Sequence, residues 1–289
     1  MKIKKAVIPV AGKGTRFLPA TKQVPKEMLP ILDQPMIHYC VEEAVLSGIQ
    51  EIIFVTSSGK EAIENYFDRN IELETFLKKN NKIELLDKIR EIGDLIEIVT
   101  VRQKEQLGLG HAVLCAKSVV GSDDFAVILG DDIVVNDDPV TKQLIHCYDQ
   151  HQGSVIGVMQ VAKEMTYKYG IVKGSKINDK TLKMDGMVEK PEPEVAPTNL
   201  ATPGRYILKN EIFNALERIE RGAGGEYQLT DAINLLCKES SVFAHEFEGK
   251  RYDTGGLEGY LRATIDFALG REDLRETMLN ILKEKRNLI

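Results

Sequence analysis

With 289 residues, 43% of them hydrophobic, the chain can bury a sizeable core, which excludes a disordered protein. Its 38 basic and 44 acidic side chains leave a net charge of −6 with no dense basic block, which argues against DNA or RNA as a partner. No window approaches the roughly 18 apolar residues of a membrane span, and the apolar run after "MKIKK" is too short for a signal peptide.

In chain order, the first half alternates apolar runs with helical patterns, as parallel strands covered by helices on both faces require. Strands are predicted over Ala6–Val10, Glu51–Thr56, Ile96–Val101 and Phe125–Leu129. Between the first two, Met36–Ser47 places Ile37, Cys40, Val41, Ala44 and Val45 on one helical face and stops at Gly48. Residues 69–94 are too long and too charged for an ordinary connection and read as an inserted helical hairpin. The second half is less regular. Short strands are expected at Val155–Val161, Gly170–Lys173 and Met187–Lys190, a proline-rich loop or linker over 190–204, helices around Asn210–Arg221 and Leu229–Glu239, and a helical tail over 256–289. Four scattered cysteines, Cys40, Cys115, Cys147 and Cys237, match no zinc spacing and suggest a reducing, cytoplasmic setting. Without a repeat or a clean boundary, the expectation is one α/β domain over 1–289 with a Rossmann-like, mixed or mostly parallel sheet.

The chemistry concentrates where the first strand breaks into "AGKGTR". Glycines leaving a strand let backbone N–H groups converge on phosphate oxygens. Arg16 can then grip one phosphate with its planar fork, and Lys26 can serve as a flexible point charge on another. A Gly-x-Gly alone fits a tight turn equally well, and neither the dinucleotide fingerprint, which needs glycine where Phe17 stands, nor the P-loop matches. Further along, Asp131 and Asp132 emerge from the apolar run "FAVILG", at the carboxyl end of a buried strand where open α/β sheets bind ligands. A carboxylate there suits Mg²⁺, which takes one or two carboxylates together with phosphate oxygens.

The full stretch "AGKGTRFLPATKQVPKEMLPILDQP" resembles the signature loop of the sugar-1-phosphate nucleotidyltransferases, and its "VPKEMLP" is similar to the bacterial UTP–glucose-1-phosphate uridylyltransferase branch. The resemblance continues in order through "QKEQLGLGHAV", "LGDD", "YGIV", "VEKP", "GEYQLTDAI" and "RYDTGG". It implies a cytoplasmic, Mg²⁺-dependent enzyme that converts UTP and glucose 1-phosphate to UDP-glucose and pyrophosphate, as a homodimer or homotetramer. By the same resemblance Ala11, Gly12, Gly14 and Thr15 contact the nucleotide, Arg16 faces the departing pyrophosphate, and Lys26 approaches the phosphates from the other side. Glu27, Gln103 and Gly108 fall at the uracil contacts. Gly170, Glu189 and Lys190 fall at positions that hold the glucose hydroxyls and its phosphate, and Asp253 partners Asp131 on the metal, with Asp132 a further candidate for sugar or water contacts.

The nucleophile in such a reaction is already an anion, so the lack of a histidine or serine triad is expected. A thymidylyltransferase acting on the same sugar shares this chemistry and differs only in its base pocket. A glycosyltransferase has no use for the GxGTR arginine followed by a lysine ten residues on, and a non-catalytic UDP-sugar sensor has no use for Arg16, Lys26, Asp131 and Lys190 together.

Overall fold

The computed structural model describes residues 2–286. The chain opens on β1 (Lys5–Pro9), passes through the glycine loop to a small ladder of β2 (Pro30–Ile31) and β3 (Gln34–Pro35), and enters α1 (Met36–Leu46) and β4 (Glu51–Thr56). Helices α2 (Glu61–Phe67), α3 (Ile71–Lys79) and α4 (Ile83–Gly93) precede β5 (Glu97–Arg102), and α3 with α4 is the helical hairpin that the charged stretch predicts. Asn70 caps it by accepting a hydrogen bond from the backbone N–H of Leu73. After α5 (Leu109–Cys115) and α6 (Lys117–Val120) come β6 (Phe125–Ile128), β7 (Asp132–Val135), α7 (Val140–His151) and β8 (Ser154–Gln160).

The second half supplies β9 (Gly170–Lys176), β10 (Thr181–Glu189), β11 (Leu200–Thr202) and β12 (Arg205–Leu208), then α8 (Ile212–Leu216), α9 (Leu229–Glu239), β13 (Val242–Glu246) and β14 (Lys250–Asp253). It closes with α10 (Leu257–Gly270) and α11 (Glu272–Lys285), so the predicted tail is two helices, and its last residues, 287–289, lie outside the described ones. Strands β9 and β10 run well beyond the short segments predicted, because they form an antiparallel hairpin whose polar residues face outward and leave no apolar run to read. The helix expected around 210–221 is confined to Ile212–Leu216.

Ten strands form one mixed sheet in the order β11-β9-β10-β13-β8-β12-β6-β1-β4-β5. The half built from the N-terminal strands is parallel, β6-β1-β4-β5, and antiparallel pairings dominate the other half. Alternate residues of each central strand face opposite ways. Val7, Ile53, Val55 and Val127 pack toward α5, α8 and α9, whereas Ala6, Ile8, Ile52, Phe54, Ala126 and Ile128 pack toward α1 and α7. Ile37, Cys40, Val41 and Ala44 of α1 lie in that second core, as their spacing predicts. All four cysteines are free thiols.

One charged pair lies inside the second core. The guanidinium of Arg205, 1% exposed, meets the Glu43 carboxylate at 2.8–3.1 Å through Nε and Nη2. Glu43 also accepts from the backbone N–H and hydroxyl of Thr141 at the start of α7. Removing one member of such a pair strands an uncompensated buried charge. Arg205→Met is therefore expected to lower unfolding free energy by about 3–5 kcal/mol, read from urea unfolding, with the double variant Arg205→Met/Glu43→Leu recovering part of the loss. A loss below about 1 kcal/mol would mean that the pair is not the structural tie its burial implies.

Candidate active site

The parallel strands β1, β4 and β6 end on the same edge of the sheet, and the turns that follow them meet there. The glycine loop is shaped by Gly14, whose φ of +64° is costly for any residue with a Cβ. An added Cβ there would also lie 3.0 Å from Cβ of Lys26, so the glycine leaves the lane along which Lys26 crosses the loop. Thr21 Oγ1 donates to the Gly14 carbonyl at 2.7 Å, and the Ala11 carbonyl accepts from Ser57 Oγ and Gln106 Nε2, which ties the loop to the segments after β4 and β5.

Lys26 reaches Asp131 at 2.5 Å, across 105 residues of sequence. Burial opposes charge on both groups, yet their mutual attraction outweighs it and holds Asp131 below and Lys26 above their ordinary values. The backbone of Asp131 is fixed from three sides. Thr254 Oγ1 donates to its own carbonyl at 2.8 Å, and Arg205 donates to the carbonyls of Leu129 and Asp132 on either side of it. Asp253 approaches the same spot. A Cβ on Gly255 would lie 2.6 Å from Asp131 Oδ2 and 3.3 Å from Asp253 Oδ1, so the two carboxylates converge on space that only glycine leaves open. Arg16 closes the group by donating to the Gly255 carbonyl at 3.3 Å.

A cleft of about 860 Å³ opens beside this cluster, lined by Arg16, Asp131 and Asp253 at one end and by Gly170, Glu189 and Lys190 at the other. Glu189 accepts a 2.6 Å hydrogen bond from Thr230 Oγ1 and lies 3.5 Å from Lys190 Nζ. Lys190 has a φ of +46°, a strained backbone for a lysine, and its backbone N–H donates to the Tyr169 carbonyl. The lysine follows the last residue of β10, and its ammonium is exposed in the cleft wall.

The remaining predicted residues divide. Gln103 and Gly108 are brought together, with Gln103 Nε2 donating to the Gly108 carbonyl at 3.1 Å. Glu27 is 1% exposed and ion-paired with Lys60 at 2.7 Å, so its carboxylate is engaged inside the protein. Asp132 is likewise engaged, gripped through both carboxylate oxygens by Arg251. Gly12 and Thr15 are exposed along the glycine loop.

Arg251 had no role in the sequence reading although it stands in the quoted "RYDTGG". It also donates to the Tyr169 hydroxyl at 2.9 Å, lies over that ring at 5.1 Å and comes within 3.6 Å of Asp253, linking the two ends of the cleft. Thr230, inside the quoted "GEYQLTDAI", is the other residue passed over. Neither carries a signal that its residue type alone could give, since both act through partners far away in sequence.

The Nucleotidyl transferase family model matches residues 5–268, most of the chain. The chain belongs to the nucleotidyl transferase family. It is 51% identical over 98% of its length to UTP–glucose-1-phosphate uridylyltransferase 1 of Staphylococcus saprophyticus, of which 99% is covered. A UTP-bound UGPase from Acinetobacter baumannii superposes with a TM-score of 0.91 at 44% identity, covering 98% of this chain and 99% of that one. A UDP-glucose pyrophosphorylase complexed with UDP-glucose superposes with a TM-score of 0.86 at 42% identity, covering 93% of this chain and all of that one. Among the described residues no helix is long and apolar enough to cross a membrane.

For this nucleotidyl transferase, Gly255→Ala is expected to displace Asp131 and lower kcat about 10- to 100-fold, the scale that a misplaced reacting geometry commands. Gly256→Ala, whose added methyl meets nothing within 4 Å, is the control. Equal turnover in the two variants would show that the close approach at Gly255 does not matter to the chemistry.

Proposed function

We propose that this chain transfers UMP from UTP to α-D-glucose 1-phosphate, releasing pyrophosphate and forming UDP-glucose. The observation that carries the reading is the convergence of Lys26, Asp131, Asp253 and Arg16 at one end of a cleft whose other end presents Glu189 and Lys190. Two polyanions must meet, and this arrangement offers fixed cations on both sides of the meeting point. The high identity to a uridylyltransferase supports UTP over the thymidylyl alternative.

Glu189 is set to accept sugar hydroxyls, with Thr230 holding one carboxylate oxygen and the Lys190 ammonium 3.5 Å from the other. Lys190 neutralises the sugar phosphate and draws its attacking oxygen toward the α-phosphorus. That oxygen forms the new P–O bond as the bond to the β-phosphate oxygen breaks, and no proton need be removed. Lys26 offsets charge on the nucleotide phosphates, and Arg16, exposed at the mouth, receives the departing pyrophosphate. Gln103, with Gly108, reads the base. Glu27, through Lys60, braces the segment that carries Lys26.

Asp131 and Asp253 are suited to Mg²⁺, because both carboxylates approach one small space and magnesium takes one or two carboxylates together with phosphate oxygens. Bound there with phosphate oxygens, the ion would supply charge neutralisation at the α-phosphate. We place the enzyme in the cytoplasm and read it as a homodimer or homotetramer, a reading that the exposed apolar side chains of α3, α4 and α11 support, among them Ile71, Phe76, Ile83 and Leu282.

A pyrophosphate-release assay across UTP, CTP, dTTP and the purine triphosphates, against a panel of sugar 1-phosphates, should show the fastest turnover with UTP and glucose 1-phosphate. Equal rates with UTP and CTP would sink the uridylyl assignment. Arg16→Ala should lower kcat by more than about tenfold, and Asp131→Asn by at least about 100-fold, the scale of losing a principal electrostatic stabiliser. In Asp253→Asn the magnesium titration should shift to higher concentration. A titration that overlays the wild type would assign Asp253 to the turn rather than to the metal.

A further inference from the structure

The side chain of Lys26 runs along the glycine loop. Its Cβ and Cγ stand 3.0 and 3.4 Å from where a Cβ on Gly14 would lie, and its Cε stands 4.0 Å from the same point on Gly12. The stem therefore crosses both glycines, over backbone of the kind that receives phosphate. At its end the ammonium meets Asp131 Oδ2 at 2.5 Å. That oxygen is also the one nearest the place a Gly255 Cβ would take, the space that Asp253 Oδ1 approaches from the other side. Lys26 thus holds the oxygen through which Asp131 would share a divalent cation with Asp253.

The side chains of Lys26 and Asp131 are only 20% and 26% exposed, so water screens the pair poorly. A dication brought to the same oxygen would face a unit positive charge already in contact with it. The ammonium and the metal are therefore alternatives for Asp131. A triphosphate changes that balance, because its negative charge exceeds what one ammonium offsets and both cations then find a partner. Phosphates held by the loop would stand beside the Lys26 stem, and rotation about its terminal bonds carries the ammonium from carboxylate to phosphate.

We infer that Lys26 and the divalent cation compete for Asp131, and that Asp131 takes the metal only once nucleotide phosphates have drawn Lys26 onto the glycine loop. This deepens the proposed function and rests on it. Lys26 becomes a guard of the metal site as well as a phosphate contact. The protein on its own binds the cation weakly, and nucleotide and metal each tighten the other's binding by the same factor.

Mn²⁺ takes the same oxygen ligands as Mg²⁺, and its binding is read from the electron paramagnetic resonance of the unbound ion. With no nucleotide present, Lys26→Met should bind Mn²⁺ about tenfold or more tightly than the wild type, since the ion no longer displaces a charge in contact with its ligand. Lys26→Arg keeps the positive charge and should stay as weak as the wild type. Lys22→Met removes an exposed charge from the same segment and is the control for charge alone. The double variant Lys26→Met/Asp131→Asn should lose the gain. In EDTA, calorimetric titration should show the reverse for the nucleotide, with Lys26→Met binding UTP about tenfold or more weakly, the worth of a charge-assisted contact. Unchanged Mn²⁺ affinity in Lys26→Met, a gain matched by Lys22→Met, or a gain that survives Asp131→Asn would overturn the competition. Unchanged UTP affinity would overturn the transfer of Lys26 to phosphate. A wild type that releases no pyrophosphate from UTP would instead refute the proposed function, a failure that the nucleotide-free Mn²⁺ titration keeps distinct.

Discussion

The buried pair of Arg205 and Glu43 is the constraint around which the catalytic edge is assembled. A guanidinium deprived of water must spend its donors on protein acceptors, and this one spends them on the Glu43 carboxylate and on the carbonyls of Leu129 and Asp132. Glu43 in turn satisfies the first turn of α7 through Thr141. Four pieces of chain, β12, α1, the start of α7 and the "LGDD" turn, are thereby held to one another by a charge that has no alternative partner. Asp131 lies within the turn so clamped, and its position is inherited from the core.

A second layer of ion pairing sits on top of the first and faces the cleft. Lys26 and Asp131 remain charged because each offsets the other's cost of burial. Arg251 holds Asp132, lies over Tyr169 and approaches Asp253, so one guanidinium ties these three parts of the cleft wall together. Tyr169 also receives the backbone N–H of Lys190, which holds that left-handed residue in the cleft wall. An exchange between two phosphates needs alignment more than it needs acid or base, and an edge stiffened by bidentate pairs supplies it.

The charged groups of this edge thus divide between those matched in the interior and those left with capacity to spare. Glu43, Asp132 and Glu27 are each matched by a cation in the interior. Arg16 and Lys190 keep their charges toward solvent. The same residue types serve both purposes, and only their surroundings separate the two.

The sequence by itself determined the local order of the parallel half and the chemistry of the loops. Apolar runs such as "FAVI" and the spaced faces of α1 read directly, because each obeys a period set by the backbone and needs only its neighbours in the chain. Gly14, Arg16 and Lys26 read as a phosphate-binding loop for the same local reason, and their resemblance to a known signature added the substrate. The antiparallel hairpin β9–β10 was only partly legible, since its polar outer face carries no apolar run. What the tertiary structure alone decided is which cation each carboxylate meets. Asp131 and Asp132 are adjacent and identical in type, yet the fold gives one to Lys26, 105 residues away, and the other to Arg251, 119 residues away. Glu27 sits beside Lys26 in sequence but pairs with Lys60 in the interior. The fate of a charge depends on the dielectric around it and on cations delivered by distant strands, and neither is written in the residues next to it.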